Sequence, residues 1–406
     1  MTKTITKITV FALLLKPLEE LLSSTSTKID EESSSKKLFF KDFTKKLLFC
    51  LVYQVSSLRN LPIELQTNEV CNKLGLSYTP FSTLKDGFSR FDSKHFKHIF
   101  ETVLTNISLF KVPYLEELGI FRVIDGSLFP TLLSMDWTQY KTSKNAFKLH
   151  LSFDLNRMIP TEFLISSGKS CERTMLIKML QEGITYIADR GYFSFDLVEK
   201  IIVKKAFFIF RFKDNMLFSI DNQQVVTGKL STCIKNINDS MGKFINDCHG
   251  NTIRIVRFNV WDSHFLIATN RFDLSTLNVI ILYAYRWQIE LLFKYLKRTM
   301  NGIHLLNHSE NGTQIQFYLM MTLAIFELNM KQTCKCIENV VPFFQNLHQK
   351  IKNFTTFEGY SPAEWIKNNA SPLYEFWKIS KNWLLILKNS LGKVADNQLF
   401  NSLAVT

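Results

Sequence analysis

The 406-residue sequence lacks the features of a membrane or disulfide-stabilised protein. Its longest apolar runs, such as 317–326, are about half of the ~20 residues that a transmembrane helix needs. The seven cysteines are odd in number and contain no CxxC pair, which is typical of reduced thiols in a cytosolic protein. The apolar stretch 8–15 is short and no small-residue cleavage site follows it, so we predict an amphipathic helix there rather than a secretory signal.

The chain also has no GxxxxGK[ST] loop, so no ATP-dependent activity is predicted. Acidic residues are few compared with basic ones, 36 against 49, and the net charge is +13. This excess favours a polyanionic partner, of which nucleic acid is the commonest, although charge alone does not distinguish DNA from RNA or an anionic membrane. An apolar fraction of 46% is that of a globular protein, and the length predicts two or three domains or subdomains.

Helical and strand patterns divide the chain into five regions. Region 1–115 is helical and basic in part, which suits a DNA-binding region as well as a helical bundle whose lysines only confer solubility. Region 116–204 contains strand and helix patterns, and 205–277 alternates with period two and is predicted to be a β-rich insertion. Region 278–330 returns to helices, one of which carries Glu290, and is predicted to complete the core that 116–204 begins. Region 331–406 is predicted to be helical with no residue of evident chemistry.

The patterns within 116–204 predict three strands, a helix, a strand and a helix. The predicted elements are strands 120–124, 148–155 and 161–165, helix 172–182, strand 184–188 and helix 194–204, with Ser194 as N-cap. The first of these strands is predicted to end at Asp125 and the fourth to end at Asp189. This order is that of an α/β, ribonuclease H-like core.

The stretch 283–297, YAYRWQIELLFKYLK, is predicted to be one amphipathic helix. At roughly 100° per residue its polar side chains fall within an arc of roughly 80°. They are Tyr283, Arg286, Glu290, Lys294 and Lys297, and the opposite side carries Leu282, Tyr285, Ile289, Leu292, Phe293 and Leu296. The simplest interpretation of such a stripe is a solvated face, on which Glu290 pairs with Arg286 and Lys294.

The spacing of Tyr283, Arg286, Glu290 and Lys297 resembles the Tyr–Arg–Glu–Lys signature of bacterial insertion-sequence transposases of the DDE type, in the IS-four-like family. The resemblance covers about 120–297 and includes the motifs Asp125-Gly126-Ser127 and Asp189-Arg190-Gly191-Tyr192. It implies a ribonuclease H-like catalytic core with a β-rich insertion, flanked by N- and C-terminal helical regions. The two aspartates are 64 positions apart, whereas 101 positions separate Asp189 from Glu290, which leaves room for the insertion.

The resemblance implies that Asp125, Asp189 and Glu290 are catalytic and hold two Mg²⁺ ions, with Mn²⁺ as a substitute. Carboxylates are suitable ligands for Mg²⁺, and two such ions can activate an attacking oxygen and stabilise a leaving one. Taken singly, each acid has an ordinary explanation, as a hairpin-turn residue, a turn or cap residue and a surface charge respectively. Asp136 and Asp154 compete for the place of the first acid, and the Asp-Gly-Ser context favours Asp125.

The resemblance also implies that Tyr283, Arg286 and Lys297 hold the phosphates of the transposon end. By charge and position we add further candidates for DNA contact, namely Lys294, Arg190, Lys148 and His150. Lys148 and His150 could equally be ordinary strand residues. Trp261 either stacks on a displaced base or lies in the core.

The function implied is cut-and-paste transposition, in which hydrolysis at the transposon end frees a 3′-hydroxyl that attacks target DNA. The predicted partners are double-stranded DNA, as terminal inverted repeats and as target, and a second copy of the chain, because two ends must be cut together. We predict no membrane partner and a cytoplasmic, nucleoid-associated location in a bacterium. Two alternatives stay open, a metal-dependent nuclease on the same core that does not transpose, and a catalytically silent DNA-binding derivative.

Overall fold

The computed structural model describes residues 15–31, 37–68, 71–72, 74–107, 113–224, 226, 234–260, 263–300 and 302–333. They fall into two compact units. The helical unit comprises the described parts of 15–107, 133–137 and 294–333, and the sheet unit comprises the described parts of 113–132 and 138–293. The predicted helices within 1–14 and 334–406, and Trp261, lie outside the described residues.

The described residues of the N-terminal part of the helical unit include five α-helices. They are α1 (Glu19–Glu31), α2 (Phe40–Val52), α3 (Leu61–Thr67), α4 (Phe81–Arg90) and α5 (Ser93–Asn106). Aromatic side chains fill their core, where the rings of Phe43 and Phe88 lie 5.1 Å apart. A Cβ at Gly87 would lie 2.7 Å from the Phe43 ring, so α4 approaches α2 this closely because position 87 has no side chain.

Several lysines of α2 have structural partners within this unit. Lys41 and Lys45 form ion pairs with Glu19 of α1, at 3.0 and 2.5 Å. Lys46 is buried, and its Nζ donates a hydrogen bond to Thr79 Oγ1 at 2.8 Å. At these positions the basic charge contributes to packing between helices.

The sheet unit is built on ten strands and the helices that connect them. In chain order they are α6 (Pro113–Leu118), β1 (Ile120–Thr131), β2 (Gln139–Lys141), β3 (Lys144–Asp154), β4 (Ile159–Ser167), α7 (Glu172–Met179), β5 (Ile184–Ala188), α8 (Phe195–Val203), β6 (Phe207–Arg211), β7 (Phe218–Gln224), β8 (Ile234–Phe244), β9 (Ile253–Val260), β10 (Ser263–Thr269), α9 (Thr276–Ala284) and α10 (Trp287–Lys294). The predicted order is confirmed for β1, β3, β4, α7, β5 and α8, whereas the three-residue strand β2 between β1 and β3 was not predicted. Ser194 is the N-cap of α8, as predicted, and accepts a hydrogen bond from the Leu197 N–H.

The strands form one mixed sheet. β4, β3 and β1 are antiparallel neighbours, and β1, β5 and β6 are parallel neighbours, which is the arrangement of a ribonuclease H-like core. β6 then pairs with β10, and β9, β8 and β7 follow towards the edge. The stretch 205–277, predicted as an insertion, therefore continues the same sheet, and its first strand is the parallel neighbour of β5.

The parallel strands carry the core of the sheet unit. All five residues of β5 are buried, which is typical of a parallel strand covered on both faces. On one face Ile124, Tyr186 and Phe208 pack with the apolar side chains of α7 and α8, including Leu176 and Leu197. α9 also contacts β5 and β6.

The last described helix, α11 (Glu310–Thr333), packs within the helical unit. Asn311 of α11 accepts a hydrogen bond from the Ser93 N–H at 2.8 Å and donates to the carbonyl oxygen of Phe91 at 2.9 Å. Residues 294–333 therefore cluster with the N-terminal helices, whereas the sequence led us to expect that 278–330 would complete the core. Across the described residues, every helix is too short or too polar to cross a membrane.

Candidate active site

Two of the predicted acids lie where the parallel strands end. The parallel pairing of β1 with β5 stops at Val123 and Ile187; Asp125 lies two positions beyond this pair in β1, and Asp189 follows the last residue of β5. Side chains alternate along a strand, so Asp125 and Asp189 are on the face opposite to that of Ile124 and the α7–α8 helices. In open α/β sheets this edge, at the carboxyl ends of the strands, is the usual place of a binding site.

The prediction that Asp125 ends a strand is wrong. β1 continues to Thr131, and Asp125 lies opposite Leu151 in the antiparallel pairing with β3. The eleven-residue strand β3 supplies hydrogen-bond partners beyond the Asp-Gly sequence, so the chain does not turn there. A hairpin turn at Asp125-Gly126 is excluded by the same pairing.

The stretch 283–297 is not one continuous helix, which corrects a second prediction. α9 ends at Ala284, Tyr285 and Arg286 form a turn, and α10 begins at Trp287. The Arg286 N–H bonds to the carbonyl of Tyr283, three residues back, so the backbone tightens at this point. The side predicted to be apolar is nevertheless buried throughout, from Leu282 to Leu296.

Arg286 lies between two of the acids. Its Nη2 is 2.8 Å from Glu290 Oε1, and its Nη1 is 3.9 Å from Asp125 Oδ2. The side chains of all three are partly accessible, at 14% for Arg286, 30% for Glu290 and 24% for Asp125. The positively charged guanidinium thus lies between two carboxylates that come from different elements of the fold.

Tyr283 contacts the third acid. Its hydroxyl donates a hydrogen bond to Asp189 Oδ1 at 3.2 Å. Burial raises the pKa of Tyr283, and the negative charge of Asp189 raises it further, so the hydroxyl stays protonated and keeps donating at neutral pH. Asp189 and Asp125 are therefore each in contact with a residue from the stretch 283–290.

The electrostatics of Asp125 are those of an acid without a full counter-charge. Burial raises the pKa of its carboxyl group to about 6, while the Gly126 N–H and Arg286 act in the lowering direction, and the charges of Glu172 and Glu290 raise it. The Gly126 N–H bonds to Asp125 Oδ1 at 2.8 Å. A cation bound at this position would relieve the repulsion between these carboxylates.

The donor set of the three acids fits a hard divalent cation. All the ligand atoms are carboxylate oxygens, which Mg²⁺ prefers, and Arg286 alone pairs with two of the three groups, so a net negative charge remains for a cation. The oxygens of Asp125, Asp189 and Glu290 are not all within 4.8 Å of one another, so sharing ions requires the side chains to move closer. The described group that does meet this limit is Asp247, Cys248 and His249, in the turn between β8 and β9.

Lys148 and His150 lie away from the face that carries Asp125. In the register of β1 with β3, His150 is opposite Gly126, so both side chains are on the other face. Lys148 Nζ pairs with Glu172 Oε1 at 3.2 Å. His150 is buried against Ser166 Oγ at 2.8 Å, and burial lowers its pKa to about 4, so it is neutral and does not offer a positive charge to phosphate.

The remaining predicted DNA contacts differ in their surroundings. Arg190 is exposed immediately after Asp189. Lys294 ends α10 and Lys297 lies in the π-helical turn Tyr295–Thr299; both belong to the helical unit, and burial lowers the pKa of Lys297.

The two aspartates that competed with Asp125 for the place of the first acid lie elsewhere. Asp154 is buried and pairs with Arg157 in the turn after β3, and Asp136 is exposed in the helical unit.

Two residues near the acids were missed in the sequence. Arg211 ends β6, stacks over the Phe265 ring at 4.8 Å, and its charge acts on Tyr283. Glu172 begins α7 and is a fourth carboxylate, whose charge acts on Asp125. The rule that singled out Asp125 and Asp189, a charged residue at the end of a buried strand, could have found Arg211, whereas the sequence carries no comparable signal for Glu172.

Comparison with known proteins gives a consistent result. The family model described as "Transposase DDE domain" matches residues 117–326. A protein of Geobacillus stearothermophilus named as the probable transposase for the insertion sequence element IS5377 is 20% identical over 64% of this chain and 68% of its own length. A Sinorhizobium fredii protein also named as a transposase is 25% identical over 50% of this chain and 58% of its own length.

Among solved structures, an endonuclease V from Bacillus subtilis matches at 13% identity with a TM-score of 0.21, over 45% of this chain and 77% of that one. At this score the likeness supports no conclusion. The matched family region contains β1 to β10, α9 and α10, and therefore all three predicted acids.

Proposed function

Because this chain belongs to the family of transposases with a DDE domain, we propose that it cleaves DNA at the ends of an insertion sequence and transfers the freed 3′ ends into target DNA. Membership implies an enzyme that acts on DNA with a divalent metal. The observation that carries the finer proposal is the meeting of Asp125, Asp189 and the Arg286–Glu290 pair at the carboxyl end of the parallel strands.

We assign the metal to Asp125, Asp189 and Glu290. When bound, Mg²⁺ ions, with Mn²⁺ as a substitute, neutralise charge on the scissile phosphate and make water or a 3′-hydroxyl nucleophilic. Asp125 must be ionised to act as a ligand, and Arg286 exchanges one carboxylate partner for phosphate when DNA enters. Tyr283 holds Asp189 in orientation through its hydroxyl.

The DNA contacts follow from charge. We propose that Arg286, Lys294, Lys297, Arg190 and Arg211 bind phosphates of the transposon end, since a guanidinium can bind phosphate through two hydrogen bonds and an ammonium through its charge. The contacts of Lys148 and His150 described above do not support a phosphate role for either. Double-stranded DNA is thus the substrate, and a second copy of the chain is the partner, because both ends must be cut together.

We also propose a division of the chain. The catalytic core comprises β1 to β6 with α7 and α8, and is completed by α9 and α10; the strands β7 to β10 form the insertion. The N-terminal helices contribute to DNA binding. A metal-dependent nuclease that does not transpose is the second candidate function. It is supported by the same acids, but it would not need to bind the DNA sequence of the transposon ends.

The test uses purified protein, Mg²⁺ and a labelled duplex carrying the element's terminal inverted repeat. Asp125→Ala should abolish cleavage, because an essential oxygen ligand is lost. Asp136→Ala, which removes an exposed acid that competed for the same role, should cleave as the parent does. Equal cleavage by the parent and Asp125→Ala would refute the assigned site, and cleavage without joining to a target duplex would favour the nuclease.

A further inference from the structure

Three neighbouring residues in the turn between β8 and β9 present different kinds of metal ligand. Asp247, Cys248 and His249 offer a carboxylate oxygen, a thiol sulfur and an imidazole nitrogen, and these atoms lie within 4.8 Å of one another. Within the ranges that the structure describes, this is the one group of three or more such side chains that meets the limit. A mixture of sulfur, nitrogen and oxygen is a ligand set typical of Zn²⁺, whereas Mg²⁺ prefers oxygen.

The stability of a turn accounts for only part of this arrangement. Asp247 Oδ1 accepts a hydrogen bond from the His249 N–H at 3.1 Å, which is a common way for an aspartate to stabilise a turn. This bond does not explain why a thiol and an imidazole lie beside the carboxylate. Asp247 is only 9% exposed, and in the described part of the chain it has no lysine or arginine as an ion-pair partner. Buried charges in proteins are paired or bind metals, so a cation would stabilise this carboxylate.

Two carboxylates of α8 lie beside the imidazole of His249. Its Nε2 is 3.6 Å from Asp196 Oδ1, and its Nδ1 is 4.0 Å from Glu199 Oε2. Asn251 holds Glu199 in place, because its Nδ2 donates a hydrogen bond to Glu199 Oε2 at 2.8 Å. A histidine that binds a metal through one nitrogen usually has a carboxylate, a carbonyl or water at the other, which fixes the orientation of the ring. Glu199 is placed to do this at Nδ1.

Asp196 is placed to supply a fourth ligand. Two ligand atoms bonded to one tetrahedral Zn²⁺ at about 2.0–2.1 Å are roughly 3.3 Å apart, which is close to the 3.6 Å between His249 Nε2 and Asp196 Oδ1. Asp196 lies outside the group of three, but its side chain is 85% exposed and can turn towards the other ligands without disturbing the core.

We propose that Asp247, Cys248, His249 and Asp196 bind one Zn²⁺ ion, and that Glu199 is a positioning residue for His249. The ion joins the turn after β8 to α8 and therefore stabilises the fold rather than taking part in cleavage. α8 packs on the sheet face opposite to Asp125, so this site is separate from the one proposed for Mg²⁺ and does not depend on it.

The experiment titrates the full chain, kept reduced and in excess Mg²⁺, with Co²⁺ and records the absorption spectrum. Co²⁺ bound to a thiolate absorbs strongly in the near ultraviolet, whereas Co²⁺ bound to oxygen ligands alone does not. The acids proposed for Mg²⁺ therefore give no such band. We expect the band to saturate at one Co²⁺ per chain and to disappear when Zn²⁺ is added, since a site with a thiolate selects Zn²⁺.

Four variants test the ligands. Cys248→Ser should abolish the band, and Cys171→Ser, which removes an exposed cysteine outside the turn, is the matched control and should keep it. Glu199→Gln should weaken Zn²⁺ binding by about 10- to 100-fold, the range for residues that orient a ligand, and His249→Ala should weaken it by at least as much. Glu182→Gln removes an equal charge from an exposed side chain and should leave the affinity unchanged.

Thermal unfolding separates a ligand from a residue that only supports the turn. Zn²⁺ should raise the unfolding temperature of the parent and leave that of His249→Ala unchanged, because an ion that binds only the folded state stabilises it. The metal-free variants should unfold at the temperature of the metal-free parent.

The outcomes are distinct. A parent without the band, or Cys248→Ser with an unchanged band, would refute the site. If the band depends on Cys248 while His249→Ala and Glu199→Gln bind Zn²⁺ as tightly as the parent, the metal binds only an exposed thiol, and the site is refuted as well. Cleavage of the labelled duplex in Mg²⁺ tests the proposed function separately, since Cys248→Ser should cleave as the parent does.

Discussion

Two arginine–carboxylate groups in the sheet unit differ in how completely their charges are satisfied. Arg254 Nη2 lies 2.6 Å from Asp239 Oδ2, and the two side chains are 2% and 0% exposed. Arg254 also donates to the carbonyl oxygen of Arg271, and Thr276 donates to Asp239. At the candidate active site, by contrast, Arg286 serves two carboxylates that stay partly accessible.

This difference in accessibility distinguishes a structural ion pair, Arg254–Asp239, from the Arg286 pairs, which can exchange partners. The Arg254–Asp239 pair connects β9 and β8 to Arg271 and to Thr276, the first residue of α9, through hydrogen bonds to groups that the fold holds in place. The Arg286 pairs leave Asp125 with a raised pKa and the acids open to solvent. The first arrangement stabilises the fold, whereas the second leaves the acids accessible for the metal binding proposed above.

The largest effect is expected at the structural pair. Asp239→Ala leaves the charge of Arg254 buried without its partner and should lower the free energy of unfolding by about 3–5 kcal/mol. Glu290→Ala, at the partly exposed pair, should lower it by less than about 1 kcal/mol. Denaturant unfolding of both variants measures this, and losses of equal size would remove the distinction between the two groups.

Substitution of Asp125 should raise the free energy of unfolding, in contrast to the two substitutions above, which lower it. Its pKa is about 6 in the folded chain against an ordinary 3.8, so the folded state binds its proton more tightly and stability falls as pH rises between these values. Asp125→Asn lacks this term and should make the metal-free protein more stable by about 2–3 kcal/mol above pH 6, with the gain vanishing below pH 3.8. Unfolding free energies across that pH range test it; a variant that is less stable than the parent at pH 7 would contradict the assignment.

Tyr283→Phe should have the smallest effect on the fold. The variant loses the hydrogen bond that Tyr283 donates to Asp189 at 3.2 Å, so Asp189 is less well oriented and end cleavage should be about 10- to 100-fold slower. A hydrogen bond this long is at the weak end of the range of roughly 0.5–1.5 kcal/mol, and the ring stays in place, so the free energy of unfolding should fall by less than about 1 kcal/mol. Single-turnover cleavage and denaturant unfolding are measured on the same preparation, and an unchanged cleavage rate would show that orientation of Asp189 does not depend on Tyr283.

Several elements could be predicted because their signals are local. Ser194 caps α8, β5 is a continuous apolar run, and the apolar side of 282–296 is buried as its periodicity indicates. Two local predictions failed where distant partners decided the outcome. β3 extends β1 past Asp125, and the helix is interrupted at Tyr285 and Arg286, a position at which Tyr283 and Arg286 contact acids from other elements.

The amino-acid sequence by itself determined the family, the order of strands and helices in the core, and the residue types of the three predicted acids, since these depend on periodicity and on short motifs. Only the tertiary structure decided that β6 is the parallel neighbour of β5, that Lys148 pairs with Glu172, and that Arg286 stands between Asp125 and Glu290. Each of these facts joins residues far apart in the chain. The physical reason is that strand pairing and ion pairing are set by which surfaces are buried together, and one-dimensional patterns do not contain that information.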